Sequence, residues 1–191
     1  AVFEILNTDQ DQMTREALRE HAEKWQVCPF ELSLDVSTWV DTVICDYNYA
    51  FDPRAHLKRF FYEGTKEDYI FLIDEAHNLV ERARTMYSAS ICKEDFLELK
   101  RLLKGKALKV EKQLNKSNSH LLELKRECED YEILKDINAL YLQLLTLSGE
   151  IQEYLEIVED ADIKKAVTEF YLNLRTFLNT YDVMDESYCI Y

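Results

Sequence analysis

Tyr69-Ile70-Phe71-Leu72-Ile73-Asp74-Glu75-Ala76-His77-Asn78-Leu79 decides how this chain is read. Uncharged residues, all apolar or aromatic, run into two adjacent carboxylates and then a histidine. An unbroken run of Tyr, Ile, Phe and Leu predicts a strand buried on both faces, as in a parallel sheet. Ligands of open α/β sheets sit beyond the carboxyl ends of the strands. Asp74 and Glu75 therefore stand where metal and phosphate chemistry would be done. The competing reading is a polar strand end capping the next helix, because Asp and Glu favour helix N-termini.

Upstream of this stretch, Asp41-Thr42-Val43-Ile44-Cys45-Asp46 is short and rich in β-branched residues, which predicts a second strand. Tyr47-Asn48-Tyr49-Ala50-Phe51-Asp52-Pro53 leaves it on an Asp-Pro stop signal. His56 to Tyr62 reads as a helix that Gly64 ends. A partly helical connection of roughly 20 residues between the two strands suits a parallel pair. Earlier still, Met13 to Trp25 predicts a helix with Ala17, Leu18, Ala22 and Trp25 at helical spacing, capped from within Asp9 to Thr14. Pro29 opens another helix through Leu34, and residues 1–9 read as irregular or as a short strand.

After residue 90 the pattern becomes helical. Phe96, Leu99, Leu102 and Leu103 set a stripe that Leu114, Leu121, Leu122 and Leu124 continue. Ile133, Leu134, Ile137, Leu140, Tyr141, Leu144 and Leu145 form a second stripe. Val167, Phe170, Tyr171, Leu174, Phe177 and Leu178 form a third. Stripes of this period predict amphipathic helices packed as a bundle or antiparallel hairpin. Gly149 predicts a break before the segment Ile151 to Val158, and Ser187 to Tyr191 reads as a strand without a neighbour in sequence.

With 191 residues the chain can build one large or two small domains. Three glycines and two prolines favour long helices with few tight turns. The net charge of −14 opposes nonspecific binding of nucleic acid by the chain as a whole. That charge is unevenly spread. Residues 93–126 hold ten basic and five acidic residues, and residues 127–191 hold four basic and fifteen acidic. Two readings stand: mutually attractive solvated helix faces, or a Lys100–Lys116 stretch facing a nucleic-acid strand. No run approaches the roughly 18 apolar residues of a membrane-spanning helix, and no signal peptide opens the chain. Cys28, Cys45, Cys92, Cys128 and Cys189 are odd in number and scattered, which favours a reducing cytoplasm over a disulfide framework. Ala1 starts without a methionine, as in a piece excised from a longer protein.

In nucleotide hydrolases one carboxylate holds Mg²⁺, and phosphoryl transfer depends on metal positioning and charge stabilisation. A neighbouring acid can polarise the attacking water. By that logic Asp74 is the metal-site residue and Glu75 the base. A metal hydrolase built on Asp74, Glu75 and His77 alone fails on spacing, because no second cluster of ligands accompanies them. Cys28, judged by local chemistry, is a small buried hydrophobe before it is a ligand. A [4Fe–4S] cluster needs four thiolates, and no four cysteines here are compactly spaced.

Asp-Glu-Ala-His after an apolar strand resembles the Walker B (DEAH) box of superfamily-two helicases. Three ordered blocks sharpen that resemblance: Cys28-Pro29-Phe30-Glu31, Asp41 to Pro53, and Phe71 to Leu79. In order and spacing they resemble the XPD/DinG family of ATP-dependent, iron–sulphur DNA helicases, over about residues 20–90. The helical remainder is similar in position and character to the arch domain that this family inserts after Walker B. The resemblance implies Cys28 as the last cysteine ligand of a [4Fe–4S] cluster, Asp74 as the Mg²⁺ ligand, Glu75 as the hydrolytic base, and His77 as the residue coupling nucleotide state to DNA binding. It places Tyr47-Asn48-Tyr49 near the DNA path, against the alternative of core packing.

The fold implied is mostly α with a small β part: a helical arch-type bundle attached to a fragment of a parallel α/β motor domain. Its divisions are residues 1–27 for the tail of the cluster domain, 28–89 for part of motor domain 1, 90–186 for the arch and 187–191 for the start of a return strand. The departures are large. No G-x-x-x-x-G-K-[ST] phosphate loop occurs, Gly64-Thr65-Lys66 lacks its first glycine, and three cluster cysteines and the second motor domain are missing. The expectation is a fragment of a helicase that couples ATP hydrolysis to movement on single-stranded DNA. ATP, Mg²⁺ and the cluster belong to the parent, and the fragment alone is inactive. The alternative is a stand-alone helical module that binds a protein partner without catalysis.

Overall fold

The computed structural model describes residues 1–8, 12–61 and 68–191. They form two compact units, Ala1–Phe71 and Leu72–Tyr191. Among the described residues, helices dominate and β structure is limited to one isolated antiparallel bridge, Leu134 with Ile190.

In the first unit, α1 (Val2–Leu6), α2 (Arg15–Trp25) and α3 (Pro29–Ser37) carry a small core. Residues 2–6 form a helix where an irregular segment or strand was expected; burial of Ile5 against α3 decides it. Thr14 caps α2 by accepting a hydrogen bond from the Ala17 N–H at 3.3 Å, which satisfies one of the orphan donors of the first turn. At the other end Gln26 adopts a left-handed conformation, φ 52°, and the Val27 N–H reaches back to the Ala22 carbonyl at 3.0 Å. Pro29 starts α3 as its sequence position predicts. Ile5, Ala22, Leu32 and Val36 are buried together, and Glu4 joins α1 to α2 through Lys24 and the Trp25 indole. Two short helices follow, α4 (Asn48–Phe51) and α5 (Lys58–Phe61). Pro53 stops α4 because the residue before a proline disfavours helical backbone; Asp52 is extended, with ψ 122°. The expected helix His56–Tyr62 is shorter at its start, and its expected end at Tyr62 and Gly64 lies outside the described residues.

Neither expected strand forms. Residues 41–46 and 69–73 are non-helical stretches with no ladder between them. A strand of this length is stable only when its N–H and C=O groups pair with neighbours. Among the described residues no such neighbours are supplied. Ile44, Ile70 and Leu72 consequently stay almost fully exposed, at 97%, 90% and 93%.

The second unit is a four-helix bundle preceded by α6 (Leu79–Met86). Its members are α7 (Lys93–Leu103), α8 (Leu108–Glu127), α9 (Asn138–Ile157) and α10 (Ala161–Asp182). Each packs on the next and α10 returns to α7. Every helix sends its apolar stripe inward: Phe96, Leu99 and Leu103; Val110 and Leu114; Leu140, Leu144, Leu147 and Ile151; Val167, Leu174 and Leu178. The first stripe is divided between two helices. Gly105, at φ +75°, makes the reversal that an L side chain would strain, and its N–H donates to Glu111 Oε1 at 2.7 Å. The second begins later than expected, because Ile133 and Leu134 lie in the link before Asn138. Asp160 caps α10 by accepting from the Asp162 and Ile163 N–H groups at 3.0 and 3.1 Å.

Gly149 does not break α9, which runs unbroken across it. Packing of Leu144, Leu147 and Ile151 on the core outweighs the roughly 1 kcal/mol that a mid-helix glycine costs relative to alanine. A Cβ at Gly149 would meet nothing within 4 Å. Gly149→Ala is therefore expected to stabilise the bundle by about 0.5–1 kcal/mol, read as a higher urea midpoint with an unchanged slope. The segment Ser187–Tyr191 does find a partner, distant in sequence. Leu134 donates its N–H to the Ile190 carbonyl at 2.8 Å, and both side chains pack against the bundle core.

Candidate functional site

Asp74-Glu75-Ala76-His77 forms an exposed turn at the start of the second unit. Glu75 holds a left-handed backbone, φ 50° and ψ 40°, and leads a short 3₁₀ turn over Ala76–Asn78 that runs into α6. For an L residue that conformation costs about 1–2 kcal/mol. Strain of this kind collects at functional sites, where surrounding contacts hold it in place. Two bonds hold it here. The Glu75 N–H donates to Asp74 Oδ1 at 2.9 Å, and the Asn78 N–H donates to the Glu75 carbonyl at 2.9 Å. Across the reversal Glu75 Oε2 lies 3.3 Å from His77 Nδ1. Both of those side chains are largely in water, at 66% and 74% exposure.

This turn can present a carboxylate to an incoming ligand and orient an imidazole beside it. Holding Mg²⁺ needs more. Among the described residues no three His, Cys, Asp or Glu side chains gather as a metal site. Asp74 already spends one oxygen on the Glu75 N–H. The donor set in these residues does not fit a metal–nucleotide complex by itself. Gly64-Thr65-Lys66, the nearest approach to a phosphate loop, lies outside the described residues.

Cys28 lies in the first unit, as the exposed residue before α3, with its carbonyl accepting from the Leu32 N–H at 3.0 Å. All five cysteines are free, and none of the other four joins Cys28 in a group of metal ligands among the described residues. A four-thiolate cluster does not fit the residues present. The structure thus keeps Cys28 in one unit and Asp74, Glu75 and His77 in the other.

Tyr47, Asn48 and Tyr49 are half-buried around the start of α4. Asp46 Oδ1 accepts from the Asn48 N–H at 2.9 Å, and the Tyr49 carbonyl accepts from the Leu57 N–H at 2.8 Å. Asp52 closes the following turn. Burial opposes its ionisation, but the Arg54 N–H, the Arg54 guanidinium and the Ala55 N–H together hold its carboxyl below the usual range.

The sequence reading missed an aromatic set here. Phe51, Phe60, Phe61, Tyr69 and Phe71 place their rings 5.6–6.4 Å from one another, within reach of favourable tilted contacts. Its signal was the alternation of Tyr69 and Phe71 along an extended segment, downstream of a Phe60-Phe61 pair. Those rings turn one way, and Ile70 between them is left bare. The Glu75–His77 pair was equally hidden, because two residues apart they meet only across the left-handed turn.

The turn follows an apolar extended segment and leads into α6. Residues 5–96 match the DEAD_2 family, which relates that part of the chain to the DEAD/DEAH-type, ATP-dependent helicases. The match takes in Cys28, Tyr47 to Pro53 and the Asp74–His77 turn, and it stops at the first turn of the bundle. No curated protein and no solved structure matches the chain. No helix among the described residues is long and apolar enough to cross a membrane.

Proposed function

We propose that residues 5–96 are the Walker B portion of an iron–sulphur DNA helicase of the XPD/DinG type, with the bundle as its arch. On this reading the motor is completed by chain outside residues 1–191, and residues 1–191 alone do not turn over ATP. One observation carries the proposal: Ile70 and Leu72 stay bare in an extended run that leads straight into Asp74 and Glu75. Burying both would contribute on the order of 1.5–3 kcal/mol each. Such a segment is fitted to lie within a sheet whose other strands come from elsewhere.

In that motor Asp74 is the acid of the metal site and Glu75 Oε takes the proton of the attacking water. His77, already beside Glu75, passes the change in that carboxylate's state toward the DNA-binding parts. Cys28 supplies one thiolate of the four that a cluster needs, single-stranded DNA is the track, and the scattered free cysteines suit a reducing cytoplasm. The intact reading frame is expected to encode a G-x-x-x-x-G-K-[ST] loop and three further cysteines upstream of Cys28. In the purified parent, Cys28→Ser is expected to remove the brown iron–sulphur absorbance. A reading frame with neither feature, or a Cys28→Ser protein that keeps its colour, overturns this assignment.

A further inference from the structure

The four seams of the bundle are not closed alike. Across α8–α9, Gln143 donates to Gln113 at 2.9 Å and Lys109 reaches Glu153 at 3.3 Å. Across α9–α10, Tyr141 donates to Asp182, and the Tyr181 hydroxyl both donates to Asn138 Oδ1 at 3.0 Å and accepts the Ile137 N–H at 3.3 Å. Between α7 and α10 the side chains leave two shallow depressions of about 250 and 310 Å³, both bordered by Asp95, Phe170 and Asn173. Their apolar lining includes Phe96, Phe170 and Leu102, the last 38% exposed.

The rims carry one sign of charge. Asp95 and Glu98 stand on α7, and Glu169 stands opposite on α10. All three are exposed, and among the described residues none forms a salt bridge and no Lys, Arg or His lines either depression. The residues bordering the two depressions run from Cys92 to Leu102 along α7, about 15 Å or three helical turns. An apolar floor between acidic rims complements a helix with one apolar stripe and basic flanks.

We propose that the α7–α10 seam is a docking groove for a basic amphipathic helix of a partner protein. The guest places apolar side chains at i, i+3, i+4 and i+7 over Phe170 and Leu102, and its Lys or Arg flanks meet Asp95, Glu98 and Glu169. The stretch that matches the helicase family takes in the start of this surface, up to Asp95 and Phe96, while Glu98, Leu102 and the α10 side lie beyond it.

The test uses the 1–191 chain and a fluorescent helical peptide of roughly 14 residues, three to four turns, with leucines on one stripe and lysines elsewhere. The wild-type chain is expected to bind it, read by anisotropy. The combined Asp95→Lys, Glu98→Lys and Glu169→Lys variant is expected to lose at least about tenfold in affinity. A control with the same net change placed elsewhere (Glu129→Lys, Glu132→Lys and Glu156→Lys) is expected to bind as wild type does. Replacing the peptide's leucines with serine is expected to abolish binding, and circular dichroism melts verify that both variants fold. The proposal is overturned if wild type fails to bind at millimolar peptide, if both triple variants weaken binding equally, or if the serine peptide still binds. Self-association of the wild-type chain that the groove variant abolishes would assign the surface to a second copy instead, and so overturn it too.

Discussion

Phe96→Ala is expected to destabilise the bundle by about 3–5 kcal/mol. Phe96 is 1% exposed and sits edge-on to Phe170, with ring centroids 5.0 Å apart. α7 is 11 residues long, against 20 to 22 for its three partners, so few side chains fasten it. Phe96, Leu99 and Leu103 are its buried members. Removing the ring leaves a void in the core, and an edge-to-face pair worth about 0.5–1.5 kcal/mol goes with it. Leu102→Ala, on the same helix but partly in solvent, is expected to cost well under half as much. Urea unfolding of the two variants measures the difference. Equal losses would mean that α7 does not dock by the face seen here.

On the proposed reading, Glu75→Gln in the parent protein is expected to leave ATP binding intact and to lower turnover by about 10²–10⁴-fold, the usual contribution of a positioned general base. The amide keeps nearly the same size, and the bond from the Asn78 N–H goes to the Glu75 backbone carbonyl, which the substitution does not touch. The backbone bond to Asp74 Oδ1 is likewise retained. What is lost is an oxygen able to take a proton, together with the charge that draws His77 Nδ1 to within 3.3 Å. A change confined to kcat therefore marks Glu75 as the base. A raised KM at unchanged kcat would place the residue in nucleotide binding.

How far the sequence reading reaches differs from element to element, for physical reasons. Thr14, Pro29 and the Val167–Leu178 stripe announced α2, α3 and α10 because capping, proline geometry and helical period act within a few residues. Gly149 misled because tertiary packing outweighs a propensity of about 1 kcal/mol. Residues 41–46 and 69–73 have strand letters without strand structure, since a ladder needs partners that letters within the segment cannot supply. The Leu134–Ile190 bridge joins segments far apart in the chain, and nothing local encodes it. In the candidate site the carboxylates were legible as adjacent acids after an apolar run. Their setting was not, because the left-handed Glu75 turns a strand end into an exposed turn.

Whether Asp74 and Glu75 serve an ATP-driven motor completed outside residues 1–191 is decided by ATP turnover. Steady-state hydrolysis is measured for the parent protein, its Glu75→Gln variant and the 1–191 chain, each with and without single-stranded DNA. Turnover by the parent is expected to rise with DNA and to be lost in Glu75→Gln while nucleotide still binds, with none from residues 1–191. Undiminished hydrolysis by Glu75→Gln, or DNA-stimulated hydrolysis by residues 1–191 alone, would contradict that reading.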